Sequence, residues 1–223
     1  MAVVMPIAVG DGLAGSAVAL EVFKGRLLFA TALHVVARGG ELKIAIPPHG
    51  GDASKPQLYP LATTPALLAD VVTTDPMADI AILSAPAPDM VVLPTLRFGD
   101  GHAAGVGTEV VVLGYPFAPI GSFLETWHRG HITALAQREA GPGVRIDEIV
   151  LSTPSYPGSS GSAVVSAVDG RLLGLVRGAL APPEVLRIGN IPLGTDSSIT
   201  FAVNGALVGA LVAQGRQIIG DAQ

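Results

Sequence analysis

The sequence contains no cysteine, which excludes a disulfide framework, a zinc site built on thiolates and a thiol nucleophile. Basic residues are also few: the chain has 13 Lys and Arg and 18 Asp and Glu, which gives a formal net charge of −5. Without a basic stripe to neutralise phosphates, we expect no nucleic-acid partner. Aromatic residues are scarce as well, at 4% of a chain that is 49% hydrophobic.

The N-terminal segment lacks the positive charge of a secretory signal, since the first basic residue is Lys24. We therefore expect a cytoplasmic protein or, if a leader was removed, a periplasmic or secreted one. Long apolar runs are missing too. The longest, at 199–213, is interrupted by Asn204 and falls short of the roughly 20 residues that cross a bilayer. We expect no membrane span.

Glycine and proline are abundant, with 28 and 18 residues, and they separate short runs of aliphatic and β-branched residues. Such runs between turn residues are typical of β-strands. Twelve runs occur, at 3–9, 15–23, 25–32, 41–47, 67–75, 79–85, 109–116, 125–137, 148–153, 161–167, 171–178 and 198–203. Their number and spacing predict an all-β fold of two closed antiparallel six-stranded barrels.

The same runs divide the chain into four parts. These are an N-terminal barrel over 1–98, a glycine-rich bridge over 99–107, a C-terminal barrel over 108–203, and a helix with a tail over 204–223. Asn204 is a suitable helix N-cap, and the four aliphatic residues on one face of this helix are Leu207, Val208, Leu211 and Val212. The loops at 47–60 and 178–198 are long enough to be functional.

The stretch YPGSSGSAVV at 156–165 places two serines between glycines and raises the question of a nucleophile. All five histidines precede Ser160, so the order Ser, acid, His of the α/β-hydrolases is excluded. The elbow motif G-x-S-x-G also fails around Ser160, because position 162 is serine. The order His, Asp, Ser remains available.

One histidine and one aspartate stand out as partners for the serine. His34 follows an apolar strand, whereas His49 and His102 lie in glycine-rich or proline-rich segments without a rigid support. Asp79 stands at the start of a strongly apolar run, where a carboxylate needs a partner such as an imidazole N–H. Asp75 is the alternative acid.

The remaining polar candidates have simpler interpretations. Ser159 is the rival nucleophile to its neighbour in the turn. His128 and His131 alternate poorly for a metal pair on one strand face, and we interpret them as structural or surface residues. We expect no metal and no cofactor.

Three stretches in this order resemble the segments of trypsin-like, chymotrypsin-fold serine peptidases that carry the catalytic His, Asp and Ser. They are FATALHVV, DPMADIAIL and STPSYPGSSGSAVVSAVDGRLLGLVRGAL. The resemblance is strongest to the bacterial HtrA/Deg-type branch, and the flanking stretches LRFGDGHAAGVGTEVVVLGYPFAP and ITFAVNGALVGALVAQ resemble the same branch. It extends from about Gly15 to Gln214.

The resemblance implies a serine endopeptidase that acts on proteins or peptides through an acyl-enzyme. Ser160 would be the nucleophile, His34 the general base and Asp79 the residue that orients the imidazole. The N–H groups of Gly158 and Ser160 would form the oxyanion hole. The implied substrate-binding residues are Ser155, Tyr156, Val176, Arg177 and Phe201.

No acidic residue directly precedes the nucleophile turn, so we expect cleavage after small or medium apolar residues rather than after Lys or Arg. Arg177 has two interpretations, a bias on the substrate cleft or a solvated charge on a strand. The alternative to an active enzyme is a noncatalytic or latent double barrel that binds peptides or proteins. A homo-oligomer or a regulatory partner is left open.

The sequence departs from the family pattern at two positions of the turn. Gly161 and Ser162 stand where two glycines are usual, a change that the turn should tolerate. Ser159 stands where many members carry the aspartate that pairs with a freed N-terminus, so we expect no zymogen activation of that kind. After the predicted helix we expect no PDZ module.

Overall fold

The computed structural model describes residues 3–10, 12–37, 39–46, 65–89, 93–117, 124–179, 187–188, 191–192 and 198–221. Two closed antiparallel barrels of six strands each dominate this part of the chain. The predicted all-β double barrel is therefore confirmed. The predicted loop at 47–60 lies outside the described residues.

The first barrel has the strand order β1-β2-β3-β6-β5-β4 and closes where β4 pairs with β1. Its strands are β1 (Val3–Val9), β2 (Gly12–Phe23), β3 (Arg26–Ala32), β4 (Leu42–Ala45), β5 (Ala66–Asp75) and β6 (Ile80–Pro86). Strands β3 and β6 are buried on both faces, which explains their nearly continuous apolar sequences. One face of β3, with Leu27 and Phe29, fills the barrel, and the other, with Leu28 and Ala30, joins a core cluster shared with the second barrel and the C-terminal helix.

The second barrel has the order β10-β11-β14-β9-β8-β7 and closes where β7 pairs with β10. Its strands are β7 (Glu109–Gly114), β8 (Thr126–Gly141), β9 (Val144–Leu151), β10 (Ala163–Ser166), β11 (Leu172–Ala179) and β14 (Thr200–Asn204). A separate pair, β12 (Arg187–Ile188) and β13 (Ile191–Pro192), lies within the predicted 178–198 loop. Strands β8 and β9 run on to a tight turn at Gly143, whereas the sequence predicted that they stop at 137 and start at 148.

The structure adds two short helices that the sequence analysis did not predict. Helix α1 (Leu33–Val36) directly follows β3, so His34 lies on a helical turn rather than at a strand edge. Helix α2 (Gly101–Ala104) lies inside the predicted glycine-rich bridge. It begins after Asp100, whose carboxylate accepts hydrogen bonds from the backbone N–H groups of His102 and Ala103.

The C-terminal helix α3 (Gly205–Asp221) starts where the sequence predicted it. The Asn204 side chain caps it by accepting a hydrogen bond from the Ala206 N–H at 3.2 Å. Its apolar face packs on the core shared by the barrels, through Leu207, Val208, Leu211 and Val212. None of the described helices is both long enough and apolar enough to cross a membrane.

Candidate active site

Side chains from the two barrels meet in one hydrogen-bonded chain. His34 and Asp79 come from the first barrel and Ser160 from the second. The His34 Nδ1 lies 2.7 Å from Asp79 Oδ2, and the His34 Nε2 lies 2.8 Å from Ser160 Oγ. The structure thus brings together the three residues that the sequence singled out.

The direction of these hydrogen bonds follows from the aspartate. An ionised carboxylate only accepts, so the His34 Nδ1 carries the proton and its Nε2 is free to accept one from the serine hydroxyl. Ser160 Oγ also lies 3.1 Å from the Arg177 carbonyl oxygen. The imidazole is the nearer of these two acceptors, so the hydroxyl proton is held where a base can remove it.

The turn between β5 and β6 fixes the position of Asp79. Asp79 has a φ of +60°, and its carbonyl accepts from the Leu33 N–H at 3.0 Å while its Oδ1 accepts from the His34 N–H at 2.9 Å. Asp75 Oδ1 accepts from the N–H groups of Met77 and Ala78 and thereby closes the turn. Asp75, the alternative acid, is thus engaged with the backbone rather than with the imidazole.

The nucleophile turn needs glycine at two positions with positive φ. Gly158 has a φ of +100° and Gly161 a φ of +83°, in the left-handed region that side chains disfavour. A Cβ at Gly161 would also overlap the Ser16 carbonyl oxygen. The sequence GSSG is therefore dictated by the backbone on both sides of the two serines.

Ser159, the rival nucleophile, has a structural role in the turn. It is only 7% exposed, and its N–H donates to the Tyr156 carbonyl at 2.9 Å. Its Oγ accepts from the Tyr156 N–H at 3.0 Å. The N–H groups of Gly158 and Ser160 donate to no acceptor among the described residues.

Ser16 is a site residue that the sequence analysis missed. This buried residue of β2 reaches from the first barrel to the nucleophile turn of the second. Its N–H donates to the Ser160 carbonyl at 2.9 Å and its Oγ to the Gly158 carbonyl at 3.2 Å. The Tyr115 N–H donates to the same Oγ at 2.9 Å. A serine within the apolar run of β2 was the available signal.

The five residues implied as substrate-binding are all described in the structure, and their side chains differ in position. Ser155 and Tyr156 are half-buried before it, and the Tyr156 ring lies 5.5 Å from that of Phe117. Phe201 is half-buried on β14. Val176 is buried in the core, so only its backbone, which accepts from the Gly161 N–H at 2.8 Å, faces the turn.

Of the two interpretations of Arg177, the structure contradicts the one that makes it a solvated charge on a strand. Its Nε donates to the buried carboxylate of Glu148 at 2.9 Å. Its carbonyl is the second neighbour of Ser160 Oγ described above. Arg177 therefore contributes its backbone to the site and directs its side chain into an ion pair.

The other described histidines lie outside this chain of hydrogen bonds. The His102 Nε2 lies 3.0 Å from the Glu148 carbonyl oxygen, and His131 is exposed on β8. Burial lowers the pKa of His128 below its usual value. Over the described part of the chain, no three His, Asp or Glu side chains are grouped so that they could hold a metal ion.

One acid near the second barrel predicts a pH dependence of stability. Burial raises the pKa of Glu125, although Trp127 Nε1–H donates to its carboxylate at 2.9 Å. Because folding raises this pKa, the protonated form is favoured in the native state, and stability is lost as the pH rises from the unfolded-state value through the folded one.

Glu125→Gln is therefore expected to increase the free energy of unfolding at pH 7, with the gain vanishing below about pH 4, where the wild-type carboxyl is protonated in both states. Urea unfolding at a series of pH values measures this. Glu109→Gln, at an exposed carboxylate paired with Arg129, is the matched control and should show no such gain. A loss of stability at pH 7 in Glu125→Gln would contradict the prediction.

Comparison with known proteins places this arrangement in a family. The family model for the trypsin-like peptidase domain matches residues 15–175. No curated protein matches the chain in sequence. Among solved structures, a variant of the HtrA-type protease AlgW with a tripeptide is 24% identical, with a TM-score of 0.64, over 95% of this chain and 59% of that one.

Two further structures show the same fold. Rv3671c protease from M. tuberculosis H37Rv, a serine-to-alanine variant in the inactive form, is 23% identical with a TM-score of 0.63, over 95% of this chain and 85% of that one. AlgW with a tripeptide is 25% identical with a TM-score of 0.61, over 92% of this chain and 57% of that one. The chain thus spans less than two thirds of the AlgW chains. Because the domain match covers most of its length, the chain belongs to the trypsin-like peptidase family.

Proposed function

We propose that the protein is a serine endopeptidase that cleaves peptide bonds through an acyl-enzyme on Ser160. The observation that supports this is the continuous chain Asp79, His34, Ser160, with contacts of 2.7 and 2.8 Å across the two barrels. Nucleophile, base and orienting acid within hydrogen-bond reach are what acyl transfer by a serine requires. We also propose the HtrA/Deg type, which the fold similarity to AlgW supports.

In the proposed first half of the reaction, Ser160 Oγ attacks the substrate carbonyl carbon and His34 Nε2 takes the hydroxyl proton. The negative oxygen of the tetrahedral intermediate binds the N–H groups of Gly158 and Ser160. The C–N bond then breaks as His34 returns the proton to the leaving amine. Asp79 keeps the Nδ1 proton in place and stabilises the imidazolium that exists between these transfers.

In the second half, water attacks the ester on Ser160 and gives its proton to the same Nε2. The carboxylic acid product forms as the C–O bond to Ser160 breaks and the serine recovers the proton. The two halves use the same base and the same oxyanion donors. No metal or cofactor is needed for either step.

Substrate binding is proposed to use the part of the β11 edge that no described strand covers. Strand β10 pairs with β11 at Leu172, Gly174 and Leu175, and β14 covers the other side up to Ala179. Over 177–179, no described strand pairs with the side of β11 that faces away from β14, and an extended peptide could add there as a strand. The rings of Phe117 and Tyr156 next to the turn support a preference for small or medium apolar side chains.

Labelling with a fluorophosphonate tests the proposed nucleophile. We expect one adduct, located on Ser160 by intact mass and peptide mapping, that is absent in Ser160→Ala. Ser159→Ala is the matched control, because it changes the adjacent serine and should keep the adduct. Failure to form an adduct anywhere between about pH 6 and pH 9 would favour the noncatalytic or latent binding scaffold.

Ser16→Ala is expected to lower kcat about 10-fold with little change in KM. The variant loses the hydrogen bond from Ser16 Oγ to the Gly158 carbonyl, so the oxyanion donors are less well aligned, and this weakens binding of the transition state but not of the substrate. The affinity for a peptide aldehyde, which forms a tetrahedral adduct, should fall by a similar factor. Ser166→Ala is the control, since this serine of β10 accepts from Val168 and Asp169 N–H groups within its own turn. A rise in KM with unchanged kcat would show that Ser16 does not act on the oxyanion donors.

A further inference from the structure

A buried carboxylate in the second barrel holds two arginines at once. The Glu148 side chain on β9 is only 3% exposed, and its Oε1 accepts from Arg138 Nε at 2.7 Å and from Arg177 Nε at 2.9 Å. Removing Glu148 would leave both guanidinium groups without this acceptor, so the carboxylate joins the two arginines. We call these three residues the arginine clasp.

One arm of the clasp crosses to the first barrel. Arg138 Nη2 donates to the carbonyl of Met77 at 2.7 Å, although the two residues are 61 positions apart. Met77 lies in the turn that presents Asp79, and Asp75 already holds the N–H side of this turn. Arg138 therefore fixes the opposite, carbonyl side, two residues before the proposed catalytic acid.

The other arm ends at the nucleophile. The Arg177 side chain is held by Glu148, and the Arg177 carbonyl lies 3.1 Å from Ser160 Oγ. This point of β11 is also where its register with β14 shifts, between Val176 and Gly178. A bulge re-aims the backbone locally, so a side-chain anchor at this residue defines where its carbonyl points.

We propose that the arginine clasp is a positioning device that sets Asp79 relative to Ser160 across the two barrels. This inference rests on the proposed function, since it concerns the geometry of the same reaction. The acid and the nucleophile belong to different barrels, and a misplacement of about 1 Å can cost about 100-fold in rate. Arg138 and Glu148 touch no reacting atom in this scheme and act through Met77 and Arg177.

A double-mutant cycle between Arg138 and Asp79 tests the clasp. In the wild-type background, Arg138→Met is expected to slow phosphonylation by a fluorophosphonate, and kcat, about 10-fold with KM changed less than about twofold. In the Asp79→Asn background the same change should have almost no further effect, because the clasp then positions a side chain that has no carboxylate to orient His34. An equal loss in both backgrounds would overturn the proposal, as would no loss in the wild type.

Two further variants separate positioning from folding. Arg138→Lys keeps a positive charge beside Glu148, but one ammonium cannot reproduce the two directed contacts of the guanidinium, so we expect an intermediate loss in a folded protein. Arg129→Met removes another arginine of β8, which is 75% exposed and pairs with Glu109, and should leave activity unchanged. Full activity in Arg138→Lys together with a loss in Arg129→Met would contradict the proposal.

A spectroscopic readout does not depend on turnover. The proton between His34 Nδ1 and Asp79 is expected to give a low-field NMR resonance, which should shift or broaden in Arg138→Met and stay unchanged in Arg129→Met. An unperturbed resonance in Arg138→Met would overturn the clasp. If the wild type fails to label at all, the proposed function fails, while this resonance still tests the positioning.

Discussion

Ser160→Ala is expected to lower kcat about 10⁶-fold while the fold and the affinity for peptides stay intact. The loss is this large because the removed Oγ is the atom that would form the proposed acyl-enzyme, and the members of a Ser-His-Asp triad act as a unit. Rate above that of water should persist at about 10³- to 10⁴-fold, supplied by the oxyanion donors and by binding. Steady-state kinetics on a cleaved peptide and calorimetric binding of the same peptide to the variant measure both parts.

The control for this prediction is the neighbouring serine. Ser159→Ala removes the acceptor for the Tyr156 N–H but leaves the contact of Ser160 with His34 in place. We expect a kcat loss of less than about 10-fold, consistent with one weakened turn contact. If Ser159→Ala abolished activity and Ser160→Ala retained it, the assignment of the nucleophile would be wrong.

Asp79→Asn is expected to lower kcat about 10⁴-fold at pH 7 without loss of folding. The reason lies in how the two carboxylate oxygens are used. Oδ1 accepts from the His34 backbone N–H, so the oxygen of the asparagine amide keeps that bond and the NH₂ group faces the imidazole. An NH₂ donor forces the Nδ1 to accept, which puts the proton on Nε2 and removes the base that Ser160 needs.

Asp75→Asn is the matched control, since it changes the other aspartate of the same turn. Its Oδ1 accepts two backbone N–H bonds, which an amide oxygen can also accept, so we expect less than about a 10-fold loss of kcat. The pH dependence of kcat/KM should keep its wild-type shape in this variant. A larger loss in Asp75→Asn than in Asp79→Asn would identify Asp75 as the acid.

Local sequence patterns were sufficient to predict the strands of the two barrels and the three residues of the candidate site. The barrels could be predicted because apolar runs alternate with glycine and proline, and the grouping of His34, Asp79 and Ser160 because three motifs occur in a specific order. Strands β8 and β9 were predicted too short because most residues from 138 to 147 are charged or are glycine and proline. A hairpin with one solvated face has the same composition as a loop.

The supporting contacts could not be predicted because they join distant parts of the chain. Ser16 donates a hydrogen bond to Gly158, which is 142 positions away, and the sequence around either residue gives no sign of the other. Arg177 has the same limitation, since whether it is solvated or paired depends on where Glu148 lies. The role of Ser16 is explained only once the two barrels are in contact, and that of Arg177 only once β9 and β11 lie in the same barrel.

The left-handed conformation of Asp79 has an evolutionary consequence. At a φ of +60°, Asn and Asp are the side chains that the backbone accepts most readily besides glycine. The neutral replacement that the fold would tolerate best is thus the one that places the proton on the wrong imidazole nitrogen. If selection for the proposed peptidase activity is lost, one substitution, Asp79→Asn, therefore gives an inactive protein with an intact double barrel. Glutamate at this position would combine a longer side chain with an unfavourable backbone conformation.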